Sequence, residues 1–320
     1  MPSTSTSAAG PSSGAGLQRG LPSLTAKRRP GEAVIKAVLF VAAMTSIVTT
    51  VGIIITLIRP TLDFFGQVSI VDFLTGTDWS PGSVEGGSFG VIPLVKATFL
   101  ITLVSLLVAV PVGLGAAMYL SEYASPRVRR TFKPVLELLA GVPSVVYGFF
   151  ALTVITPLVL QDFFQVDVGF TNALAAGLVL GVMIVPTVAS LSEDAMSAVP
   201  LALRQGSLAM GANKMQTTLR VVFPSALSGI AAAIVLGLSR AVGETMIVTL
   251  AAGSQPSMSL DPREGMQAMT GYMATTAGGE NPVGSLAYDT LFAVGLLLFV
   301  LTLIINMISI ALVRRFRQEY

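Results

Sequence analysis

Long apolar runs separated by short charged segments dominate the pattern of this chain. Crossing the hydrocarbon core of a bilayer takes about 20 apolar residues in a helix. Six windows of the sequence are long enough, and one of them, at about 225–252, contains the charged residues Arg240 and Glu244. The pattern predicts an all-α integral membrane protein with six transmembrane helices and both termini on one side. The other five windows, which are free of charged residues, are 37–58, 97–121, 138–161, 168–192 and 290–313.

The composition of the 320 residues agrees with this pattern. They are 53% hydrophobic and 11% charged, with a mean hydropathy of +0.78, whereas soluble domains carry about 25% charged residues. The absence of histidine and cysteine excludes imidazole relays, cysteine nucleophiles and thiolate metal sites. No Gly-Lys dipeptide occurs, so the chain has no P-loop for a nucleotide. We expect no catalytic residues, no metal and no cofactor bound by this chain, and no nucleic acid partner.

Charged residues are divided unevenly between the two predicted sides. Most of the 19 lysines and arginines fall near the N-terminus, after the second and fourth windows and at the C-terminus, whereas the opposite loops are mainly acidic. Because positive residues favour the cytoplasmic side, both termini are expected there. Residues 1–31, rich in Ser, Gly and Pro, predict a disordered cytoplasmic tail. After this tail, we predict a six-helix transmembrane domain at 32–316 and a cytoplasmic tail at 317–320.

The long predicted cytoplasmic segment 198–224 carries a helix–glycine–helix pattern. With the residues that follow, it reads AVPLALRQGSLAMGANKMQTTLRVVFPSALSGI. We expect two short amphipathic helices, a break at Gly211-Ala212 where glycine allows a sharp turn, and an end at Pro224. Its residues alone are equally consistent with a helix lying on the lipid headgroups.

The spacing of this segment resembles the coupling loop of ABC-importer permeases. In that loop a Glu-Ala-Ala triplet, a glycine and a terminal hydrophobic-x-hydrophobic-Pro recur at fixed separations. The glycine and the ending are present here, but all three triplet positions differ, which leaves open whether Gln205 replaces the acidic residue. The residues that the resemblance assigns to ATPase coupling are Gln205, Gly206, Ser207, Ala209, Gly211, Ala212, Val221 and Pro224.

Four further stretches resemble the phosphate-specific permease subunits called PstC, and the resemblance covers about 33–313. It implies a type I ABC-importer permease bundle in a bacterial plasma (inner) membrane. It also implies a second homologous permease, two ABC ATPase subunits that use ATP and Mg, and an external phosphate-binding protein. The stretches are FLTGTDWSPGSVEGGSFGVIPLV (73–95), LLAGVPSVVYGFFAL (138–152), VPTVASLSEDAMSAVP (185–200) and LSRAVGETMIVTLAAG (238–253).

Arg240 and Glu244 are the charged residues of the sixth window. On one helix, residues four apart share a face, so the two side chains are expected to meet. A charge at the bilayer centre costs around 3 kcal/mol, so it faces protein or an aqueous path. The pair either neutralises itself and tightens packing, or lines an anion path in which Arg240 binds phosphate oxygens. In the resemblance, the stretch RAVGET, which ends at Thr245, lies on the family's proposed path.

Glu137 is assigned to the substrate path as the acidic residue that opens the third helix, just after Pro134. The alternative is a charge that only stabilises that helix start. Glu193 and Asp194 could meet Arg204 or Lys214, although a solvated face is the simpler interpretation. Small residues and prolines in the third and fourth windows permit close helix packing, which is the simpler interpretation, or a local break in a helix; they are Gly141, Pro143, Gly148 and Pro186.

Three other functions remain open. An ABC permease could carry another anion, such as phosphonate or sulfate. A stand-alone secondary anion transporter would show inverted repeats around a midplane site, and no clear repeat is visible. A membrane scaffold would use the Arg–Glu pair only for packing.

Overall fold

The computed structural model describes residues 30–82, 87–279, 282 and 284–315. The predicted C-terminal tail, 317–320, lies outside this part of the chain, and so does the predicted N-terminal tail, 1–31, apart from residues 30 and 31. The chain divides after Gly52 into two compact units. The described part of the first unit is the beginning of one long helix with exposed apolar side chains.

Helices account for nearly all the regular structure in the described residues. The long ones are α1 Pro30–Phe65, α3 Ile92–Met118, α4 Pro126–Ala140, α6 Ala173–Ser197, α10 Leu227–Val242 and α12 Leu286–Arg315. The short ones are α2 Ile70–Thr75, α5 Ser144–Phe150, α7 Leu201–Ala209, α8 Lys214–Thr217, α9 Phe223–Ser225 and α11 Met269–Ala277. Helices continue in π-helical form at Tyr119–Tyr123, Ala151–Phe163, Thr218–Val222 and Val248–Ala252. Two short strands, β1 Trp79–Ser80 and β2 Ser88–Phe89, pair antiparallel.

Five of the described helices are long and apolar enough to cross a membrane. A sixth candidate span is a bent pair, Lys214–Ser225 and Leu227–Val242, whose axes differ by 71°. The prediction of an all-α membrane protein is therefore confirmed, and the number of spans reaches the predicted six when the bent pair is counted as one span. The five are Val34–Phe65, Ile92–Tyr123, Ser144–Phe163, Ala173–Ser197 and Leu286–Ala311.

Several predicted span boundaries differ from the structure by a few residues, and two are wrong because a helix breaks there. The third span begins at Ser144 rather than at 138, because Gly141 caps α4 and Pro143 lacks the N–H that a continuous helix needs. The sixth helix ends at Val242 rather than at 252. Both breaks lie at the candidate site.

The centre of the bundle is the contact between α3 and α6, where glycines bring the backbones close together. A Cβ at Gly181 would lie 2.8 Å from both the Ser105 carbonyl oxygen and Val108 Cβ. Gly237 brings α10 against α6 in the same way, next to Val188. Close backbone approach at small residues is how helices associate in lipid. The α6 helix is consequently the fixed element around which the others are arranged.

At the start of α3, the β-hairpin and α11 enclose an aromatic cluster. Trp79 packs edge-to-face on Tyr272, with ring centroids 4.9 Å apart, and also contacts Phe73. Phe64 of α1 completes this cluster with Phe73. The cluster closes the bundle at the end opposite to the α3 terminus that carries Glu122.

Candidate functional site

Arg240 lies in the last turn of α10, half-buried, with only neutral contacts. Its Nη1 donates to Thr187 Oγ1 on α6, and its Nη2 donates to the carbonyl oxygen of Ala140 at the end of α4, both at 3.4 Å. Among the described residues, Arg240 forms no ion pair with a carboxylate. A cation at a helix C-terminus is favoured by the helix dipole. The guanidinium is thus held loosely and keeps donor capacity for a ligand.

Glu244 does not meet Arg240, so the expected pairing on one helix is wrong. The helix ends at Val242, with Gly243 as its C-cap. Glu244 Oε1 instead accepts hydrogen bonds from the backbone N–H groups of Met246 and Ile247, at 3.1 and 3.3 Å. The first N–H groups of a helical turn have no partner within it, and a carboxylate satisfies them well. Glu244 therefore begins the next turn of helix.

The break between Gly243 and Thr245 is fixed by contacts from two other helices. Thr270 Oγ1 of α11 donates to the Glu244 carbonyl oxygen at 2.6 Å. On the other side, a Cβ at Gly148 of α5 would lie 3.2 Å from the Met246 carbonyl oxygen. This close approach confirms the packing role expected of Gly148. The third path residue, Thr245, lines a cavity of about 540 Å³ that is otherwise mainly apolar.

Glu137 is not at the start of a membrane span. It is exposed near the end of α4, which starts earlier, at Pro126, with the Ser125 hydroxyl as its N-cap. Pro134 lies inside this helix rather than in its first turn, so the helix-start interpretation of Glu137 is wrong. Glu137 lines a cavity of about 500 Å³ together with Arg130 and Lys133.

The 198–224 segment has the predicted helix–glycine–helix form. α7 ends at Ala209, Gly211 turns with a φ of +88°, and α8 begins after a capping box between Asn213 and Gln216. A positive φ is the conformation that glycine adopts without strain. The break at Gly211 is confirmed, and Pro224 lies in the short α9 that leads into α10.

Much of the segment's surface is open. The exposed residues assigned to coupling are Gln205, Gly206, Ala209, Gly211 and Pro224, and the half-buried ones are Ser207, Ala212 and Val221. Two methionines flank the break, and Met210 is 89% exposed while Met215 is 62% exposed. Contiguous exposed apolar side chains mark contact surfaces. The surface is therefore suited to a protein partner.

A network of charges missed by the sequence analysis joins the ends of α3, α4, α6 and α7. Glu193 is only 1% exposed, so the expected solvated face is wrong for this residue. It pairs with Arg129 and Lys133 of α4, and Lys133 also pairs with Asp194. Hydrogen bonds to Asp194 and Glu193 raise the pKa of Lys133. We call this set the charge network; its members are Ser121, Glu122, Arg129, Lys133, Glu193, Asp194, Ser197 and Arg204.

Arg204 of α7 belongs to the same network, but its partner is on α3. It pairs with Glu122 at 3.1 Å and donates to the Met196 carbonyl oxygen at 2.6 Å. The expectation that Arg204 could meet Glu193 or Asp194 is therefore wrong. Lys214 was the other candidate, and it lies over the ring of Tyr123, 5.0 Å from the ring centroid.

The loop after the 246–252 turn supports the start of α6 at the opposite end of the bundle. Backbone N–H groups of Leu174 and Ala173 donate to the carbonyl oxygens of Pro262 and Glu264, at 2.6 and 3.0 Å. Arg263 Nε donates to both carboxylate oxygens of Asp261, at 3.0 and 2.9 Å. Hydrogen bonding by Arg263 lowers the pKa of Asp261 to about 2. In the described residues, no group of three Asp or Glu is placed to hold a metal ion.

Comparisons with known proteins bear on these elements. Residues 109–318 match the family described as binding-protein-dependent transport system inner membrane component. The chain is 37% identical to the probable ABC transporter permease protein YqgH of Bacillus subtilis, over 73% of this chain and 75% of that protein. It is 34% identical to the phosphate transport system permease protein PstC 1 of Mycobacterium tuberculosis, over 76% and 81%. A bacterial alginate ABC transporter solved with its alginate-bound periplasmic protein has a similar fold, with a TM-score of 0.63 and 17% identity, covering 89% of this chain and 96% of that one.

Proposed function

The chain belongs to the family of binding-protein-dependent transport system inner membrane components, and we propose that it is the permease subunit of an ATP-driven importer of inorganic phosphate. It is an ABC importer permease with several spans in the inner membrane. Support for phosphate comes from the relatives named as phosphate transport permeases, which are 30–34% identical over most of this chain.

The observation that carries the proposal is Arg240, a half-buried guanidinium with two long contacts to neutral oxygens. A cation within a membrane helix is costly, and it is retained where it serves an ion or substrate path. Its fork of N–H donors fits two oxygens of a phosphate. Because no carboxylate neutralises it among the described residues, an arriving anion meets a net positive charge.

The other path residues take different roles in this proposal. Glu244 does not restrain Arg240; its hydrogen bonds to Met246 and Ile247 hold the helix break next to it. Thr245 lies within the break and offers a hydroxyl to the path. Glu137 lies on α4, whose last carbonyl contacts Arg240, and its negative charge favours departure of the anion from that side.

Energy for transport comes from partner subunits in this scheme. The chain has no P-loop, and the exposed segment around Gly211 offers a surface for an ATPase subunit. We infer that two ATPases using ATP and Mg act on the 198–224 segments of this chain and of a second homologous permease. An external phosphate-binding protein delivers the substrate, and the basic residues of the tails support a cytoplasmic position for both termini.

Uptake of labelled phosphate into vesicles containing the whole complex tests the proposal. Arg240→Ala should abolish uptake, and Arg240→Lys should restore little of it, because an ammonium group lacks the planar fork. Arg59→Ala, at an exposed arginine of α1, is the matched control and should transport normally. Undiminished uptake by assembled Arg240→Ala would exclude a role for this residue in the path. If sulfate or phosphonate, and not unlabelled phosphate, competed for uptake, the substrate would be reassigned. Uptake that does not require ATP would indicate a secondary transporter.

A further inference from the structure

The charge network lies between the segment that we assign to the ATPase contact and the helix that contacts Arg240. On α7, Arg204 has a side chain that is 17% exposed, and its partner Glu122 is 9% exposed. The same guanidinium donates to the carbonyl oxygen of Met196 at the end of α6. One side chain thus fastens α7 to two membrane helices.

Glu193 fastens α6 to α4 in a comparable way. Its buried carboxylate pairs with Lys133 at 2.9 Å and with Arg129. It also accepts a hydrogen bond at 2.8 Å from Ser197, one turn further along α6. Arg129 donates to the same Ser197 hydroxyl at 2.8 Å, so each group in this cluster has more than one partner.

Ser121 and Ser197 lie between the Arg204–Glu122 ion pair and the contacts of Glu193. Ser121 donates to Glu122 at 3.0 Å, and its oxygen lies 3.5 Å from that of Ser197, which donates its single proton to Glu193. A continuous series of polar contacts therefore leads from Arg204 on α7 to Lys133 on α4. The last carbonyl of α4, at Ala140, accepts the hydrogen bond from Arg240.

The two carboxylates at the centre of the network, Glu193 and Glu122, are shielded from water, with side chains that are 1% and 9% exposed. Separating a buried ion pair leaves an uncompensated charge, which is strongly unfavourable. A displacement of α7 is therefore less costly when α6 and α4 follow it than when the pairs break. By contrast, Arg240 is held by two long contacts of 3.4 Å to neutral oxygens, which change readily when α4 moves.

We propose that Arg204 and Glu193 are positioning residues of the transport cycle, which transmit movement of α7 through α6 to α4 and so alter the surroundings of Arg240. This rests on the proposed function, because it takes an ATPase subunit as the source of the movement. The contact of α3 with α6 at Gly181 and the contact of α10 with α6 at Gly237 lie apart from the network.

The ratio of ATP hydrolysed to phosphate transported by the reconstituted complex tests this role. Arg204→Met and Glu193→Gln should keep ATP hydrolysis but raise the ratio about tenfold, within the usual range of coupling between sites. The swap of Arg204→Glu with Glu122→Arg should recover part of the coupling, because it restores the ion pair but not the bond to Met196. Arg127→Met, at an exposed arginine of α4 that has no ion pair among the described residues and does not line the Glu137 cavity, should behave as wild type.

Each alternative result contradicts the proposal. An unchanged ratio in the single variants would show that the network carries no movement, and a swap no better than Arg204→Met would show that the ion pair is not the link. If every variant failed to assemble, including Arg204→Lys, the network would belong to folding alone.

A second measurement does not depend on the substrate. The chain lacks cysteine, so spin labels can be placed at the exposed Ala202 of α7 and Thr131 of α4. With ATP, the distance between the labels should stay constant in the wild-type complex and change in Arg204→Met. If the distance between the labels responded to ATP in the same way in the wild type and in Arg204→Met, the inference would be overturned. Failure of phosphate uptake alongside the expected distances would overturn only the proposed substrate.

Discussion

Arg240 and Glu244 lie four positions apart in the chain, yet the helix of the arginine ends before the glutamate begins the next helical turn. The two charges therefore do not cancel. The arginine faces neutral oxygens of Thr187 and Ala140, and the glutamate faces backbone N–H groups. This separation makes their roles distinguishable by experiment.

Glu244 should tolerate glutamine better than alanine. Glu244→Ala removes the acceptor of two N–H groups and should lower the free energy of unfolding by about 1 kcal/mol, as loss of a helix cap does. Glu244→Gln keeps an acceptor oxygen and should lose less than half of that and retain most phosphate uptake. Thermal unfolding in detergent and vesicle uptake measure these effects. A glutamine variant that unfolds normally but does not transport would show that the charge itself acts on the anion.

Gly181 should not accept a side chain. In Gly181→Ala, the new Cβ would lie 2.8 Å from the Ser105 carbonyl oxygen, and such overpacking costs about 1–3 kcal/mol. Gly115→Ala is the matched control on α3, since its Cβ would meet nothing within 4 Å. Chemical unfolding of the two variants should differ by this amount. Equal stabilities would mean that α3 and α6 can separate without cost.

Gly211 should require its backbone conformation rather than its small size. A Cβ there would contact nothing, but the φ of +88° is strained for an L residue. Gly211→Ala should therefore reduce ATP-driven uptake more than Gly211→Asn, because asparagine tolerates positive φ. Gly206→Ala, in an open position of α7, should have little effect. Similar losses at both glycines would indicate that the partner contact, and not the turn, sets the requirement.

The ion pair of Asp261 with Arg263 should give a pH dependence on the acid side. The pKa of Asp261 is about 2 in the folded chain, below its unfolded value of about 3.9. The contribution of the pair is therefore complete above about pH 4 and is lost as the pH falls towards 2. The melting temperature of the wild type should fall more over this interval than that of Asp261→Asn. Parallel declines in both proteins would contradict the assignment.

Local features of the fold could be predicted from the sequence, and features that depend on distant partners could not. Apolar windows predicted the spans because helix length in a bilayer is set by thickness alone. The turn at Gly211 could be predicted because glycine itself permits the backbone conformation of the turn. Just beyond the end of α10, however, the Glu244 carbonyl oxygen accepts a hydrogen bond from Thr270, 26 residues further along the chain, and no local signal in the sequence predicts that bond.

The site showed the same limit. Glu193 and Asp194 look alike in the sequence, and Lys133 reaches both from about 60 residues away, but only Glu193 is buried, with Arg129 and Ser197 as further partners. Charged residues at three- and four-residue spacing on α4 were a usable signal, since they predict one cationic face. What that face meets was decided by the packing of α4 against α6.

The 71° bend between the 214–225 helices and α10 forms an elbow between a short arm, residues 214–225, and a long arm, α10. Arg240 lies 14 residues beyond Ala226, which is about 21 Å along a helix. A tilt of about 10° at the elbow would sweep the guanidinium sideways by about 4 Å, more than the length of either of its hydrogen bonds. Under the proposed function, a small displacement of the short arm would therefore be sufficient to break both contacts of Arg240.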